Sequence, residues 1–296
     1  MRPHPIILRD GIDELLASEE IRHEAVRELS EFYMPAEFDM EKGPDRKRRE
    51  YILGLYREFR ALNKTGAVGK ALERVVFKAA VDGGKGKFTV MGSPDQGVPA
   101  GTVISGKSVY REPDLFLIGC GGPGCIADVE VKNLREWITA SSREVWNLIG
   151  RALRIDALPV LVTRKIVYPS YYVFREIGLL AFQVHFQFFP PKLETRVGEI
   201  RHKDGLGFSD IRCSDEAPPA LVRYFAEHLP RLAPGALERF LSRKDILSRY
   251  AMEHHLEDAI PGNIRSARFH EFEEELFPRE TEEPEVDYGW REFGDF

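Results

Sequence analysis

Along the first 62 residues the apolar positions recur at helical spacing: Leu15, Ile21, Ala25, Leu29 and Phe32, then Tyr51, Leu53, Leu55, Phe59 and Leu62. This predicts a helical N-terminal extension, residues 1–62, with the basic run 46–49 in a loop or at a helix start. From about residue 66 the character changes. Residues 69–81 form an amphipathic pattern stopped by Asp82, Gly83 and Gly84, which predicts a helix. A Gly- and Pro-rich stretch with a short β run at 88–91 follows, then strand-like segments at 102–110, 114–118 and 126–132. Helical spacing returns over 141–155, with Val145, Leu148, Ile149, Ala152 and Leu153 inward. Residues 158–163 read as a buried strand and 171–177 as a short helix. Residues 180–189 read as a strand, with Phe182, Val184, Phe186 and Phe188 on one face and Gln183, His185 and Gln187 on the other.

The order helix, three strands, helix, strand, helix, strand over residues 63–190 predicts an α/β core, a sheet with helices packed on it. Residues 191–270 read as mainly helical, with Pro234-Gly235 separating two helices. No apolar run approaches the roughly 18 residues a membrane span needs. Three cysteines, Cys120, Cys125 and Cys213, are too few for a disulfide framework, which favours a reducing, cytoplasmic setting.

Charge changes the picture by its distribution. The chain carries 42 basic and 48 acidic residues, a net of −6, which argues against a polyanionic partner. From residue 251 onward there are 14 acids against 4 arginines, so this C-terminal stretch, which includes the acidic tail, is at −10 and the remaining body at +4. The objection therefore applies to the tail alone. That tail, 271–296, reads as a solvated end or as a segment docking on a basic surface in cis or in trans, and Tyr288, Trp290, Phe293 and Phe296 favour some docking.

Gly101 to Ser108, with Lys107, satisfies the P-loop pattern, but Thr102, Val103 and Ile104 prefer extended backbone and Pro113 leaves no room for a long helix. A P-loop nucleotide hydrolase is therefore a weak alternative. Cys120 and Cys125 sit in a strand-to-strand turn with no second ligand pair nearby, so incidental thiols are favoured over zinc. His254 and His255 are adjacent, so on a helix their rings diverge by about 100°. The weightier pattern lies in two strands. Asp114 opens one; in the next, Asp128, Glu130 and Lys132 alternate onto one face. A hairpin through the glycine turn brings Asp114 towards Glu130. Acids and a lysine projecting from a buried sheet are costly unless compensated, and they suit a hard cation and phosphodiester hydrolysis. Taken alone, a Glu-x-Lys tripeptide is better explained by a same-face ion pair, since the pattern is common by chance.

Glu73 on the preceding helix, Pro113-Asp114, Glu130-Val131-Lys132 and then a helix and a strand together resemble the PD-(D/E)XK nuclease superfamily, over residues 66–190. The resemblance implies a mixed sheet in a restriction endonuclease-like αβββαβ core; the helical extensions at both ends, read from periodicity, lie outside it. It implies Asp114 and Glu130 as metal ligands with the Val131 carbonyl, Lys132 as the catalytic lysine, and Glu73 as the helix-borne acid. Asp128 is a second acid on the same face. The cofactor implied is Mg²⁺, with Mn²⁺ as substitute. The activity implied is endonucleolytic hydrolysis of DNA, in restriction, defence, repair or recombination, by a chain able to act as a homodimer. A catalytically inactive nucleic-acid-binding or regulatory module on the same fold is the alternative. Lys107, Arg164, Lys165 and residues 46–49 are the candidates for phosphate contact, with Arg164 and Lys165 foremost.

Overall fold

The computed structural model describes residues 5–26, 29–37, 43–92, 94, 100–104, 106–256 and 262–277. In chain order these form α1 (Pro5–Ala17), β1 (Ile21–Val26), β2 (Leu29–Pro35), α2 (Gly43–Asn63), α3 (Gly66–Gly83), β3 (Thr89–Met91), β4 (Val103–Ile104), β5 (Lys107–Ser108), β6 (Leu115–Ile118), β7 (Ile126–Lys132), α4 (Arg143–Ile155), β8 (Leu158–Thr163), α5 (Tyr168–Ile177), β9 (Leu180–Gln183), β10 (Gln187–Phe189), α6 (Glu194–Arg201), β11 (Ile211–Cys213), α7 (Pro219–Arg223), α8 (Leu229–Ser242), α9 (Lys244–Leu256) and α10 (Gly262–Leu276).

A mixed five-stranded sheet, order β3-β6-β7-β8-β9, lies at the centre. β3, β6 and β7 are antiparallel neighbours, while β7, β8 and β9 run parallel. The parallel strands have a hydrophobic-run character because both faces are covered. On one face Ala127, Val129 and Val131 of β7 pack with Leu72, Val75 and Val76 of α3 and with Phe225 and Ala233 nearer the C-terminus. On the other, Leu161 joins Leu148, Ile149 and Ala152 of α4 and Phe174 of α5. The alternation in β7 is thus fixed by two cores. Its odd-numbered residues feed one, so Asp128, Glu130 and Lys132 must face α4.

Four local expectations are corrected. Ile21–Val26 and Leu29–Pro35 are paired antiparallel strands, not helix; the pairing Ile21 with Pro35 through Val26 with Leu29 competes successfully with a weak helical period in a short run. The 102–110 segment is no strand of the central sheet: it folds on itself as β4 and β5, turning near Gly106 at φ +75°, and β3 takes the sheet position. The 180–189 strand breaks after Gln183, where His185 adopts φ +62°, and β10 leaves to pair with β11. Pro234-Gly235 separates no helices, since α8 runs through it. The basic run 46–49 lies in the first turns of α2, where Arg46 pairs with Glu50 at 3.0 Å. Of the acidic tail, residues 278–296 fall outside the described residues, as do the side chains of His254 and His255.

Gly178 ends α5 at φ +74°, and a Cβ there would lie 2.3 Å from the Ala236 carbonyl oxygen and 2.6 Å from the Phe240 nitrogen. Both backbone strain and a clash with α8 oppose any side chain. Gly178→Ala should therefore lower stability by roughly 3 kcal/mol or more, read as a fall in the urea midpoint; an unchanged midpoint would contradict the α5–α8 approach.

Candidate functional site

The site forms where β6 begins and β7 ends. The ladder pairs Leu115 with Val129, so the next step places Asp114 opposite Glu130. Asp114 lies just before the strand, and its Oδ2 accepts a hydrogen bond from the Val131 N–H at 2.6 Å, closing the ladder with a side chain. Lys132 Nζ donates to Glu130 Oε1 and lies 3.9 Å from Asp114 Oδ2, so two carboxylates from neighbouring strands meet on one ammonium. Nζ also reaches the Val131 carbonyl oxygen at 3.3 Å. Asp114, Glu130, Val131 and Lys132 are thereby brought together as the sequence pattern implies. Glu73 of α3 is half-buried near them, and its carboxyl is raised by burial and by Glu130, against the pull of Lys132 and Lys70.

The charges here are unevenly resolved. Burial, then the negative charges of Glu130 and Glu73, push Asp114 up to about 7 against the attraction of Lys132. Burial acts on Glu130 in the same direction, but Lys132 and Arg151 outweigh it and hold that carboxyl below the usual range. One carboxylate is firmly ionised; the other stands in a surplus of negative charge that a further cation would relieve. Among the described residues no three of His, Cys, Asp and Glu are arranged to hold a metal ion together.

Asp128, the alternative acid, is not available to the site. It is fully buried and held by Arg151 of α4, Nε to Oδ2 at 2.7 Å and Nη2 to Oδ1 at 2.6 Å. The same Nη2 donates to Glu130 Oε2 at 2.8 Å. Sequence reasoning passed over Arg151, although the signal existed: it falls between Leu148 and Ile155 on the apolar stripe of α4, the stripe facing the acids of β7. Asn133 was missed too. Buried directly after Lys132, it donates to the carbonyls of Val68 and Phe188 and accepts from the Phe188 N–H, fastening the end of β7 to α3 and β10.

Two of the three named phosphate-contact candidates do not occupy that role. Arg164 is buried, donating to Asp210 from Nε at 2.9 Å and to the Arg135 carbonyl from Nη1 at 2.9 Å, so it binds the fold together. Lys107 is bonded to Asp156, just ahead of β8, at the end of the sheet opposite Lys132. At about 3.3 Å per strand residue, the two lysines are separated by roughly 20 Å. The same hairpin removes the P-loop, because Val103 pairs with Ser108 and Ile104 with Lys107, and no helix N-terminus follows. Lys165 lies at the same end of the sheet as Lys132. It is half-buried two residues past Thr163, the partner of Lys132, with Nζ 4.5 Å from the centre of the exposed Trp137 ring. Gln183 and His185 share that end, joined through Nε2 and Nδ1 at 2.7 Å. Cys120 and Cys125 lie buried in the β6–β7 turn with their sulfurs 3.4 Å apart, away from these groups.

No family model matches the chain, and neither a curated protein nor a solved structure matches it. Among the described residues no helix is long and apolar enough to cross a membrane.

Proposed function

We propose that the chain is a metal-dependent phosphodiester hydrolase, an endonuclease acting on DNA, with a core of the PD-(D/E)XK type. The observation that supports this most is the meeting of Asp114 and Glu130 on the Lys132 ammonium across an antiparallel strand pair. The helix α3, the antiparallel β3, β6 and β7, the helix α4 and the parallel β8 follow the αβββαβ order of such a core.

The donor set fits a divalent cation. Two carboxylates and the neighbouring Val131 carbonyl are hard oxygen donors, and Mg²⁺ is commonly bound through one or two carboxylates with water and phosphate completing its shell. Asp114 and Glu130 would hold it, and when bound it would neutralise phosphate charge and acidify a water. The chain's own residues do the remaining work. The Val131 N–H fixes Asp114 Oδ2. Burial of Glu130 under α4 excludes competing water from one of its oxygens. Lys132, only partly buried, can swing its ammonium from Glu130 towards a non-bridging phosphate oxygen or an attacking water. Lys165 and Trp137, at the same sheet end, offer a cation and an aromatic face to the nucleic-acid strand.

The test is a panel of single-stranded, double-stranded and branched DNA incubated with Mg²⁺ or Mn²⁺. Cleavage should occur with metal only, and Lys132→Ala or Glu130→Ala should reduce it at least about 100-fold, whereas Lys107→Ala should leave it intact. Binding without cleavage across the panel would favour the inactive-module alternative.

A further inference from the structure

We infer that Arg151 is the positioning residue of this site, retaining Glu130 Oε2 so that Oε1 alone is presented towards Asp114, Lys132 and a divalent cation. The inference rests on the reading of the site given above and adds a residue to it that the motif does not contain.

Three features carry it. First, the guanidinium is fully buried and its direction is set before Glu130 is considered. Nε and Nη2 each hold one oxygen of Asp128, and a planar fork gripped at two points has no rotational freedom left. Its contact with Glu130 is made from that fixed position, at 2.8 Å. Second, the two oxygens of Glu130 have different partners: Oε2 faces Arg151, and Oε1 faces Lys132. A glutamate with several rotatable bonds would otherwise exchange the two oxygens and swing away from Asp114. Third, Asp128 sits two residues before Glu130 on the same face of β7, so strand periodicity alone lines up anchor, guanidinium and ligand.

The plainer reading is that Arg151 exists to neutralise Asp128, an acid buried in the centre of the sheet, with the contact to Glu130 incidental. The two readings separate when the anchor pair is removed together. Replacing a buried ion pair by apolar side chains of similar volume is commonly neutral or stabilising, whereas removing one partner strands the other. If neutralisation were the whole role, losing both charges would cost the site nothing. If Arg151 positions Glu130, the double substitution leaves a folded protein with a loosened ligand.

The experiment compares the wild-type chain, the double variant Asp128→Leu/Arg151→Met and the single variant Arg151→Lys. Folding is followed by circular dichroism and thermal unfolding, Mn²⁺ binding by calorimetry, and DNA cleavage as a function of Mn²⁺ concentration. Loss of a group that orients a metal ligand typically weakens metal affinity 10–100-fold. The double variant should unfold cooperatively with a Tm near that of wild type, yet bind Mn²⁺ at least about 10-fold more weakly. Its half-saturating Mn²⁺ concentration in cleavage should rise by the same factor, with a smaller loss at saturating metal. Arg151→Lys keeps a charge beside Asp128 but cannot make the three-bond fork, so it should also bind Mn²⁺ more weakly. Should the double variant fail to fold, Arg151→Lys decides the question. Mn²⁺ affinity equal to wild type in a folded variant would overturn the positioning role while leaving the proposed function standing. Absence of Mn²⁺ binding by the wild-type chain would overturn the proposed function and this inference together.

Discussion

Asp114→Asn should make the protein more stable at pH 8 and at the same time abolish metal-dependent DNA cleavage. Asparagine keeps an oxygen to accept the Val131 N–H, so the strand end is not undone. What it removes is a carboxyl pushed up to about 7 by burial and by the charges of Glu130 and Glu73. In the unfolded chain that carboxyl titrates near 3.9. The folded state therefore holds the proton more tightly, and the associated stability is complete below about pH 4 and lost as pH rises through 7. Above pH 7 the ionised Asp114 is a net cost to folding, set first by burial of its charge and then by the negative charges of Glu130 and Glu73. The substitution relieves it. Thermal unfolding should show the variant above wild type at pH 8 and level with it at pH 4. Cleavage should fall about 1,000-fold, equivalent to roughly 4 kcal/mol of lost transition-state charge stabilisation. Millimolar Mg²⁺ should raise the Tm of wild type and not of the variant, since only a site that binds in the folded state shifts the equilibrium. A lower Tm at pH 8, or cleavage within tenfold of wild type, would remove Asp114 from the site.

How much of this was legible in the sequence differs by residue. Asp114, Glu130 and Lys132 could be placed because strand alternation is strict, and a glycine turn of fixed length returns one strand beside the other. Asp128 followed from the same period, which could not say which acid was already engaged, and the Val131 carbonyl was implied by the family resemblance alone. That depended on Arg151, which lies 21 residues beyond Glu130 in sequence and reaches it only when α4 docks on the sheet. Arg164 shows the opposite failure. Adjacent to Lys165 and just past a strand, it has the sequence character of an exposed cation, and only Asp210, 46 residues away, shows that it is buried. Local patterns fix which way a side chain leaves its own strand. They do not reveal what another element brings to meet it. The 102–110 and 21–35 segments failed for a related reason, since short apolar runs satisfy more than one period and tertiary pairing decides among them.

Asp210→Ala should be the most destabilising single substitution on the surface side of β10 and β11, although Asp210 carries out no chemistry. Its Oδ1 accepts from Arg135 at 2.7 Å and its Oδ2 accepts from the buried Arg164. Burial opposes ionisation of Asp210, but the two arginines prevail and hold its carboxyl down at about 2. Arg135 can keep its guanidinium over the Phe208 ring, 4.0 Å from the centroid. Arg164 has no such retreat, since its side-chain hydrogen bond apart from Asp210 is to the Arg135 carbonyl and its side chain is only 3% exposed. Removing the acid leaves a buried cation without its counter-charge, a change that commonly costs about 3–5 kcal/mol. For a domain of this size that is a fall in Tm on the order of 10 °C. The pH dependence separates loss of the ion pair from a general packing defect. A carboxyl depressed to about 2 contributes stability that is complete above its unfolded value near 3.9 and lost as pH falls towards 2. The gap between wild type and variant should therefore be constant from pH 8 to 5 and narrow below pH 4. A gap independent of pH down to 2.5 would show that the arginines do not depend on Asp210 for their burial. Because Arg164 ties the end of β8 to this acid immediately before Lys165, the substitution should also loosen Lys165, the residue that packs on Trp137.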